Sequence, residues 1–301
     1  MKGIYSALLV SFDKDGNINE KGLRQIIRHN IDVCKIDGLY VGGSTGENFM
    51  LSTDEKKRIF EIAKDEVKDE VKDEVKLIAQ VGSVNLKEAV ELAKFATDLG
   101  YDALSAVTPF YYKFDFEEIK HYYNTIINSV DNKMIIYSIP FLTGVNMSLD
   151  QFGELFENEK IIGVKFTAAD FYLLERMRKR FPDKLIYAGF DEMMLPATVL
   201  GVDGAIGSTF NVNGVRAKQI FELTKAEKIS EAREIQHLTN DLITDILGNG
   251  LYQTIKLLLE EQGVEAGYCR QPMKEPTPEM RAKAKEMYSK YFQNQEELLN
   301  V

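Results

Sequence analysis

Short apolar segments alternate with longer amphipathic segments along most of the 301-residue chain. The short segments are nearly unbroken apolar runs, as in strands covered on both faces, and the longer ones repeat apolar residues with the helical period. The predicted strands cover residues 4–12, 38–43, 77–81, 103–108, 134–139, 161–167, 185–190 and 204–210. Each is followed by a helical pattern, beginning with a helix near residues 20–34. Eight such units predict an α/β fold, the (β/α)8 or TIM barrel, because an open doubly wound sheet usually has fewer strands and a glycine-rich dinucleotide loop.

Beyond the eighth strand only helical periodicity remains, over residues 216–259 and 278–299, with a Gly- and Pro-containing link at 263–277. No low-complexity linker separates these amphipathic helices from the barrel. We therefore expect a (β/α)8 barrel at residues 1–215 and C-terminal helices at 216–301 that pack on it as one structural unit.

Residues 64–75 repeat the sequence Lys-Asp-Glu-Val three times. A period of four drifts slowly around a helix, so Val67, Val71 and Val75 form one narrow apolar stripe beside solvated charges. We interpret the repeat as a locally lengthened helix or loop and not as a functional site.

Composition excludes several classes of protein. Hydrophobic residues make up 45% of the chain and charged residues 28%, which is typical of a globular protein. No apolar stretch approaches the roughly 20 residues of a membrane-spanning helix, and residues 1–4 lead into the first strand without a signal peptide. A cytoplasmic location is expected. The net charge of −10 disfavours nucleic acids and anionic membranes as partners.

The cysteines and histidines show no metal-binding pattern. Cys34 and Cys269 lie far apart and are expected to stay reduced, and the three histidines have no acidic or cysteine partner at ligand spacing. We expect neither a bound metal nor a histidine base.

Lys165 interrupts the apolar segment 161–167, where a strand covered on both faces has no ordinary place for an ammonium group. Burial lowers the proton affinity of a lysine, and a neutral amine is the nucleophile that forms a Schiff base with a ketone. Two ordinary interpretations exist for this residue alone: the side chain extends to solvent, or it pairs with a carboxylate. The residues at the other strand ends favour the Schiff base.

Polar groups follow several of the predicted strands, and these strand ends build the active sites of (β/α)8 barrels. Gly42-Gly43-Ser44-Thr45-Gly46-Glu47 offers backbone amides and hydroxyls to a carboxylate. Tyr137 lies in the fifth strand, and Thr167 shares a strand face with Lys165. The seventh strand ends in Gly189-Phe190-Asp191-Glu192, whose adjacent acids suit the hydroxyl groups of a sugar, and the eighth ends in Gly207-Ser208-Thr209.

Each of these features also has an ordinary structural interpretation. The glycine-rich segment is typical of a tight turn before a helix that starts after Ser52, Tyr137 of a core residue, and Asp191 and Glu192 of a helix cap. Their shared position at the strand ends of one barrel favours a functional site.

Gly43-Ser44-Thr45-Gly46-Glu47, Tyr137 and Gly163-Val164-Lys165 resemble motifs of the pyruvate-dependent class I aldolases related to N-acetylneuraminate lyase and dihydrodipicolinate synthase. The resemblance extends from the first strand to the C-terminal helices. It implies that Ser44 and Thr45 hold the carboxylate of pyruvate, that Tyr137 relays protons and that Lys165 forms the Schiff base, with no cofactor.

The resemblance also implies an oligomer. Thr108-Pro109-Phe110-Tyr111-Tyr112 is similar to the segment in which a tyrosine, here Tyr111, reaches into the site of a neighbouring subunit. In this family such an arrangement implies a homotetramer.

Two local features imply the sialic acid branch of the family. Leu142 stands where the synthases carry an arginine for the carboxylate of a second substrate. Gly189-Phe190-Asp191-Glu192 resembles the lyase signature, in which these acids, Gly189 and Ser208 meet the sugar hydroxyls, while Thr167 borders the lysine. The implied reaction is reversible cleavage of open-chain N-acetylneuraminate to pyruvate and N-acetylmannosamine.

A phenol with an ordinary pKa of about 10 is a poor base. We therefore expect Tyr137 to act with the substrate carboxylate or with a hydroxyl relay through Thr45 and Tyr111. Three alternatives are another aldolase of the family acting on a 2-keto-3-deoxy aldonate or the synthase reaction, a barrel that senses pyruvate or sialic acid without turnover, and a structural protein. The last leaves Lys165 unexplained.

Overall fold

The computed structural model describes residues 1–68 and 75–293. Within them, eight parallel strands form a closed barrel in sequential order, with the last strand paired to the first. The strands are β1 (Gly3–Ala7), β2 (Gly38–Val41), β3 (Lys76–Gln80), β4 (Ala103–Val107), β5 (Met134–Ser138), β6 (Ile161–Phe166), β7 (Leu185–Ala188) and β8 (Gly204–Gly207). The predicted (β/α)8 barrel is confirmed.

Helices connect the strands and continue beyond them. They are α1 (Glu20–Asp32), α2 (Thr53–Val67), α3 (Leu86–Asp98), α4 (Phe116–Asn128), α5 (Pro140–Thr143), α6 (Leu149–Phe156), α7 (Phe171–Arg180), α8 (Met194–Val199), α9 (Phe210–Lys225), α10 (Ile229–Gly248), α11 (Leu251–Glu261) and α12 (Pro278–Tyr291). The helix expected after Ser52 is confirmed, because the Ser52 and Glu55 side chains form a capping box at the start of α2. None of the helices within the described ranges has both the length and the apolar character that crossing a bilayer requires.

All eight predicted strands run past the observed carboxyl ends, most of them by one or two residues and the first and last by more. β1 stops at Ala7, and the Leu8 amide still donates to the carbonyl of Tyr40 in β2. The other apolar residues that follow are buried without strand pairing, and Phe12 forms isolated bridges with Ile18 and Tyr268. β8 stops at Gly207, and Phe210 already begins α9. A run of apolar residues indicates burial but does not show where hydrogen bonding between strands ends. The sequence pattern therefore placed the ends of both strands beyond their last paired residues.

The C-terminal region is helical, as expected, with breaks that the pattern did not resolve. The predicted segment 216–259 begins inside α9 and continues through α10 and α11, and α10 packs against α8 and α9. α12 ends at Tyr291, and the predicted continuation to residue 299 extends beyond the described residues.

The Lys-Asp-Glu-Val repeat falls only partly within the described chain. Its first copy continues α2 to the buried residue Val67, and Val75 packs against the core before β3. Val71, the middle residue of the predicted stripe, lies outside the described residues.

Side chains fill the barrel interior. A cluster separate from the core under the helices contains, among others, Tyr5, Tyr40, Tyr137, Tyr187 and Ile206. The barrel is therefore a packed core, and chemistry is confined to the mouth formed by the carboxyl ends of the strands.

Candidate active site

Lys165 and Tyr137 are neighbours in the barrel, because β5 and β6 pair in register at these two residues. Only 5% of Lys165 is exposed, and its Nζ lies over two aromatic rings, 3.8 Å from the centroid of Tyr137 and 4.8 Å from that of Tyr40. The two rings pack edge to face with centroids 5.9 Å apart. This packing fixes the amine at the barrel mouth and shields it from solvent.

Lys165 differs from the other buried lysines of the described residues in having no counter-ion. Lys56 pairs with Glu88 at 2.7 Å and Lys256 pairs with Glu47 at 2.8 Å, whereas no carboxylate within residues 1–68 or 75–293 forms a salt bridge with Lys165. Both ordinary interpretations of this lysine, extension to solvent and pairing with an acid, are at odds with this geometry.

The two tyrosines beside Lys165 have different surroundings. Tyr40 donates its hydroxyl proton to Ser105 Oγ at 2.9 Å, and burial raises its pKa well above the ordinary value, so it stays protonated. The hydroxyl of Tyr137 lies 3.5 Å from Ser44 Oγ, on the glycine-rich turn after β2. Tyr137 thus presents its phenol between the lysine and that turn, as a proton relay requires.

The turn after β2 is a short 3-10 segment, Ser44–Gly46. Its Gly46 and Glu47 amides donate to the carbonyls of Gly43 and Ser44, whereas the amides of Ser44 and Thr45 donate to no acceptor in the described part of the chain. Gly42, which precedes the turn, adopts a φ of +77° that favours glycine. Two available amides and the Ser44 hydroxyl form a site suited to an anion.

The hydroxyl predicted to assist Tyr137 differs from the one found beside it. Thr45 Oγ1 lies 2.6 Å from Ser208 Oγ and so joins the turn after β2 to the end of β8. The hydroxyl near Tyr137 belongs to Ser44, and Tyr111 is 85% exposed. Ser44 is thus the hydroxyl that this chain itself places beside Tyr137, and the relay through Thr45 and Tyr111 stays a prediction.

Asp191 is buried at the end of β7 and does not cap α8. Its Oδ2 accepts hydrogen bonds from the amide of Thr209 at 2.8 Å and from the Thr209 hydroxyl at 2.6 Å. Burial raises the pKa of Asp191 to about 6, although the bonds from Thr209 and the charge of Lys165 oppose this rise. The carboxylate is ionised at neutral pH and can accept hydrogen bonds from a polyol.

Two glycines are required where the wall of the site is most crowded. A Cβ on Gly189 would lie 1.9 Å from Thr167 Oγ1, and a Cβ on Gly207 would lie 2.1 Å from Asp191 Oδ1. Thr167 Oγ1 is buried and has no hydrogen-bond partner among the described residues. An unsatisfied buried hydroxyl beside Lys165 suits a polar substrate group.

An apolar cavity of about 220 Å³ borders the opposite side of the turn. Beside Ser44, its walls include Phe49, Val107, Phe110, Ile139, Leu142 and Tyr252. Leu142, which was expected to offer no cation to a second substrate, therefore faces an apolar space. The site has a polar wall from β6 to β8 and a largely apolar wall from β2 to β5.

Several residues that support the site were not predicted. Gln236 and Asn240 of α10 donate to the carbonyls of Asp191 and Glu192, each at 3.2 Å. Lys256 of α11 pairs with Glu47 of the glycine-rich motif. In the sequence these polar residues look like the solvated positions of amphipathic helices, so only the tertiary structure reveals them.

Metal-binding groups are not assembled in the described residues, where no cluster of three or more histidine, cysteine or acidic side chains has suitable geometry. Cys34 and Cys269 are both free.

Comparison with known proteins gives the family. Residues 1–291 match the model of the dihydrodipicolinate synthetase family. N-acetylneuraminate lyase of Clostridium perfringens is 86% identical over 292 residues, which cover 97% of this chain and 100% of the relative.

Two solved structures extend the comparison. That of CdNal from Clostridium difficile in complex with mannosamine has a TM-score of 0.95 and 90% identity over 97% of this chain and 99% of that chain. N-acetylneuraminate lyase of Fusobacterium nucleatum complexed with pyruvate has a TM-score of 0.93 and 72% identity over 97% and 98% of the two chains. The chain belongs to the dihydrodipicolinate synthetase family of proteins.

Proposed function

We propose that this chain catalyses reversible retro-aldol cleavage of open-chain N-acetylneuraminate to pyruvate and N-acetylmannosamine, as part of sialic acid degradation. The observation that carries the proposal is the burial of Lys165 beside the Tyr137 ring with no carboxylate partner in the described residues. High identity to N-acetylneuraminate lyases over nearly the whole chain supports the choice of substrate.

The first stage forms the Schiff base. The neutral amine of Lys165 attacks the C2 ketone of the substrate and gives a carbinolamine, which loses water to leave an iminium ion. The Tyr137 hydroxyl delivers the proton that lets this water leave, and its neighbour Ser44 Oγ shares that proton. The iminium then serves as the electron sink, so the reaction needs no cofactor.

The second stage breaks the C3–C4 bond. The Tyr137 oxygen, which gave up its proton to the departing water, accepts the proton of the C4 hydroxyl, so that C4 becomes the aldehyde of N-acetylmannosamine and the bonding electrons move through C3 and C2 to give a neutral enamine. Tyr137 then returns this proton to C3, which regenerates the iminium. Water adds at C2 and gives a proton back to the Tyr137 oxygen, and the carbinolamine collapses to release pyruvate with free Lys165.

The remaining site residues bind the two ends of the substrate. The amides and hydroxyls of Ser44 and Thr45 hold the carboxylate. In support of this, these two amides donate no hydrogen bond to another described residue. On the opposite wall Gly189, Asp191, Glu192 and Ser208 orient the polyol, with Thr167 next to the lysine. Ionised Asp191 is a stronger hydrogen-bond acceptor for a sugar hydroxyl than a neutral carboxyl is.

The proposal includes a homotetramer in the cytoplasm, in which Tyr111 reaches the site of a neighbouring subunit. Tyr111 adopts a φ of +80°, and with Tyr112 and Phe141 it leaves large apolar surfaces exposed. Such surfaces are typical of protein interfaces. The C-terminal helices act with the barrel as one unit, since α10 holds the backbone of Asp191 and Glu192.

Two assays of pyruvate release and one assay of pyruvate condensation test the proposal. We expect rapid release from N-acetylneuraminate, slow release from a 2-keto-3-deoxy aldonate, and no condensation of pyruvate with an aldehyde that carries a carboxylate, because Leu142 offers no cation for it. Faster turnover of the aldonate would show that the aldonate, and not N-acetylneuraminate, is the preferred substrate. Binding of sialic acid with no turnover of any substrate would instead identify a sensor.

A further inference from the structure

Glu47 and Lys256 form an ion pair between side chains that are 209 positions apart in the sequence. Glu47 Oε1 lies 2.8 Å from Lys256 Nζ, and the two side chains are 0% and 2% exposed. The second oxygen of Glu47 accepts a hydrogen bond from the amide of Arg270 at 2.6 Å, and Lys256 also donates to the carbonyl of Tyr268 at 2.5 Å. Both partners are thus bonded to the segment that follows α11.

The pair is attached directly to the anion-binding turn. Glu47 is the residue after Ser44–Gly46, and its amide closes that turn by donating to the Ser44 carbonyl at 3.0 Å. Its backbone adopts the left-handed conformation, with φ of 60° and ψ of 28°. This conformation is unfavourable for glutamate and persists where surrounding contacts enforce it.

We infer that the Glu47–Lys256 ion pair positions the turn whose Ser44 and Thr45 amides recognise the substrate carboxylate. The inference rests on the proposed function, in which this turn holds pyruvate. Glu47 and Lys256 are positioning residues, because their polar atoms bond to each other and to the backbone of Tyr268 and Arg270. Through this pair the C-terminal extension controls recognition of the carboxylate at the barrel mouth.

A merely structural pair would affect stability without selecting among ligands. The chain provides a control in Lys56 and Glu88, a pair at 2.7 Å that joins α2 to α3, in which Lys56 is buried and Glu88 is partly buried. Their polar atoms bond to Thr53 and Ser83 and to no residue assigned above to substrate. Loss of this pair therefore reports the general cost of breaking a buried ion pair.

Borohydride trapping of two ketones distinguishes a role in positioning the turn from a merely structural role. Pyruvate carries a carboxylate, and methyl pyruvate presents the same ketone without that charge. Glu47→Gln, Lys256→Met and the double variant are compared with the unaltered protein and with Lys56→Met, after thermal unfolding shows that each is folded. The double variant leaves no unpaired buried charge, so it keeps the test available if either single variant fails to fold.

We expect the pyruvate concentration for half-maximal trapping to rise at least about tenfold in the Glu47 and Lys256 variants, because a small displacement of the turn misplaces both amides. Trapping of methyl pyruvate should stay unchanged, and Lys56→Met should leave both ketones unaffected. The inference would be overturned if the concentration for half-maximal trapping rose equally for both ketones, or if it did not rise for pyruvate in the double variant. Failure of the unaltered protein to trap pyruvate would overturn the proposed function, and the inference with it.

Discussion

The Nζ of Lys165 lies 3.8 Å from the centroid of the Tyr137 ring, on an adjacent strand and in register with it. The amine lies over the face of this ring and has no carboxylate partner among the described residues. The same tyrosine presents its hydroxyl to Ser44 on the anion-binding turn. One side chain therefore contacts both the proposed nucleophile and the turn that is proposed to receive the substrate carboxylate.

Lys165→Met is expected to abolish cleavage and to stabilise the fold. Methionine has similar length but cannot form a Schiff base, so turnover should fall by at least about a thousandfold. Removal of a buried amine that has no ion-pair partner among the described residues should raise the free energy of unfolding by about 1 kcal/mol. Chemical denaturation and a turnover assay test both effects, and a loss of stability would argue that Lys165 has a structural partner.

Tyr137→Phe should separate packing from proton transfer. The ring contacts with Lys165 and Tyr40 remain, whereas the hydroxyl near Ser44 is lost. We expect kcat to fall about 100-fold or more with little change in KM or thermal stability. Tyr40→Phe is the control, because its hydroxyl bonds Ser105 inside the barrel and is given no role in proton transfer. Equal loss of kcat in both variants would contradict the assignment.

Asp191 predicts a pH dependence of substrate affinity. Its pKa of about 6 lies above the ordinary value, so the folded state takes up a proton as the pH falls through 6 and the destabilisation caused by the buried charge is relieved. The neutral carboxyl is a weaker acceptor, and KM for N-acetylneuraminate should rise below pH 6. Asp191→Asn should raise KM at pH 8 and remove this dependence. Half-maximal trapping of pyruvate, which lacks the polyol, should not change with Asp191→Asn.

Gly189→Ala should distort the wall beside the lysine. The new methyl group would lie 1.9 Å from Thr167 Oγ1 and 3.0 Å from the Thr167 Cα, so backbone as well as side chain must shift. We expect destabilisation by about 2 kcal/mol and a higher KM for N-acetylneuraminate. Gly248→Ala is the control, because a methyl group added there, at the end of α10, would have no described neighbour within 4 Å. Comparable destabilisation in both variants would show that crowding at Gly189 is unimportant.

The sequence predicted those features that leave a local pattern of apolar and charged residues. Lys165 could be predicted as a site residue because its charge interrupts an apolar strand. The barrel could be predicted because eight apolar segments alternate with helical segments. The end of β1 at Ala7 was not visible, since the buried residues after it are as apolar as the strand itself.

The contacts that support the site could not be predicted from the sequence, for a different reason. Lys256 lies on an amphipathic helix, where a lysine ordinarily faces solvent, and its partner Glu47 is 209 positions away. The bonds between Asp191 and Thr209 likewise depend on how β7 and β8 meet. Local periodicity contains no information on such pairings, so they emerge only from the folded chain.

The role of Lys165 as the Schiff-base nucleophile is tested by the mass of the protein after borohydride reduction in the presence of pyruvate, followed by mapping of the modified peptide. We expect one reduced pyruvate adduct per subunit, located on Lys165, and no adduct in Lys165→Met. An unmodified protein, or an adduct on another lysine such as Lys256, would contradict the central role of Lys165.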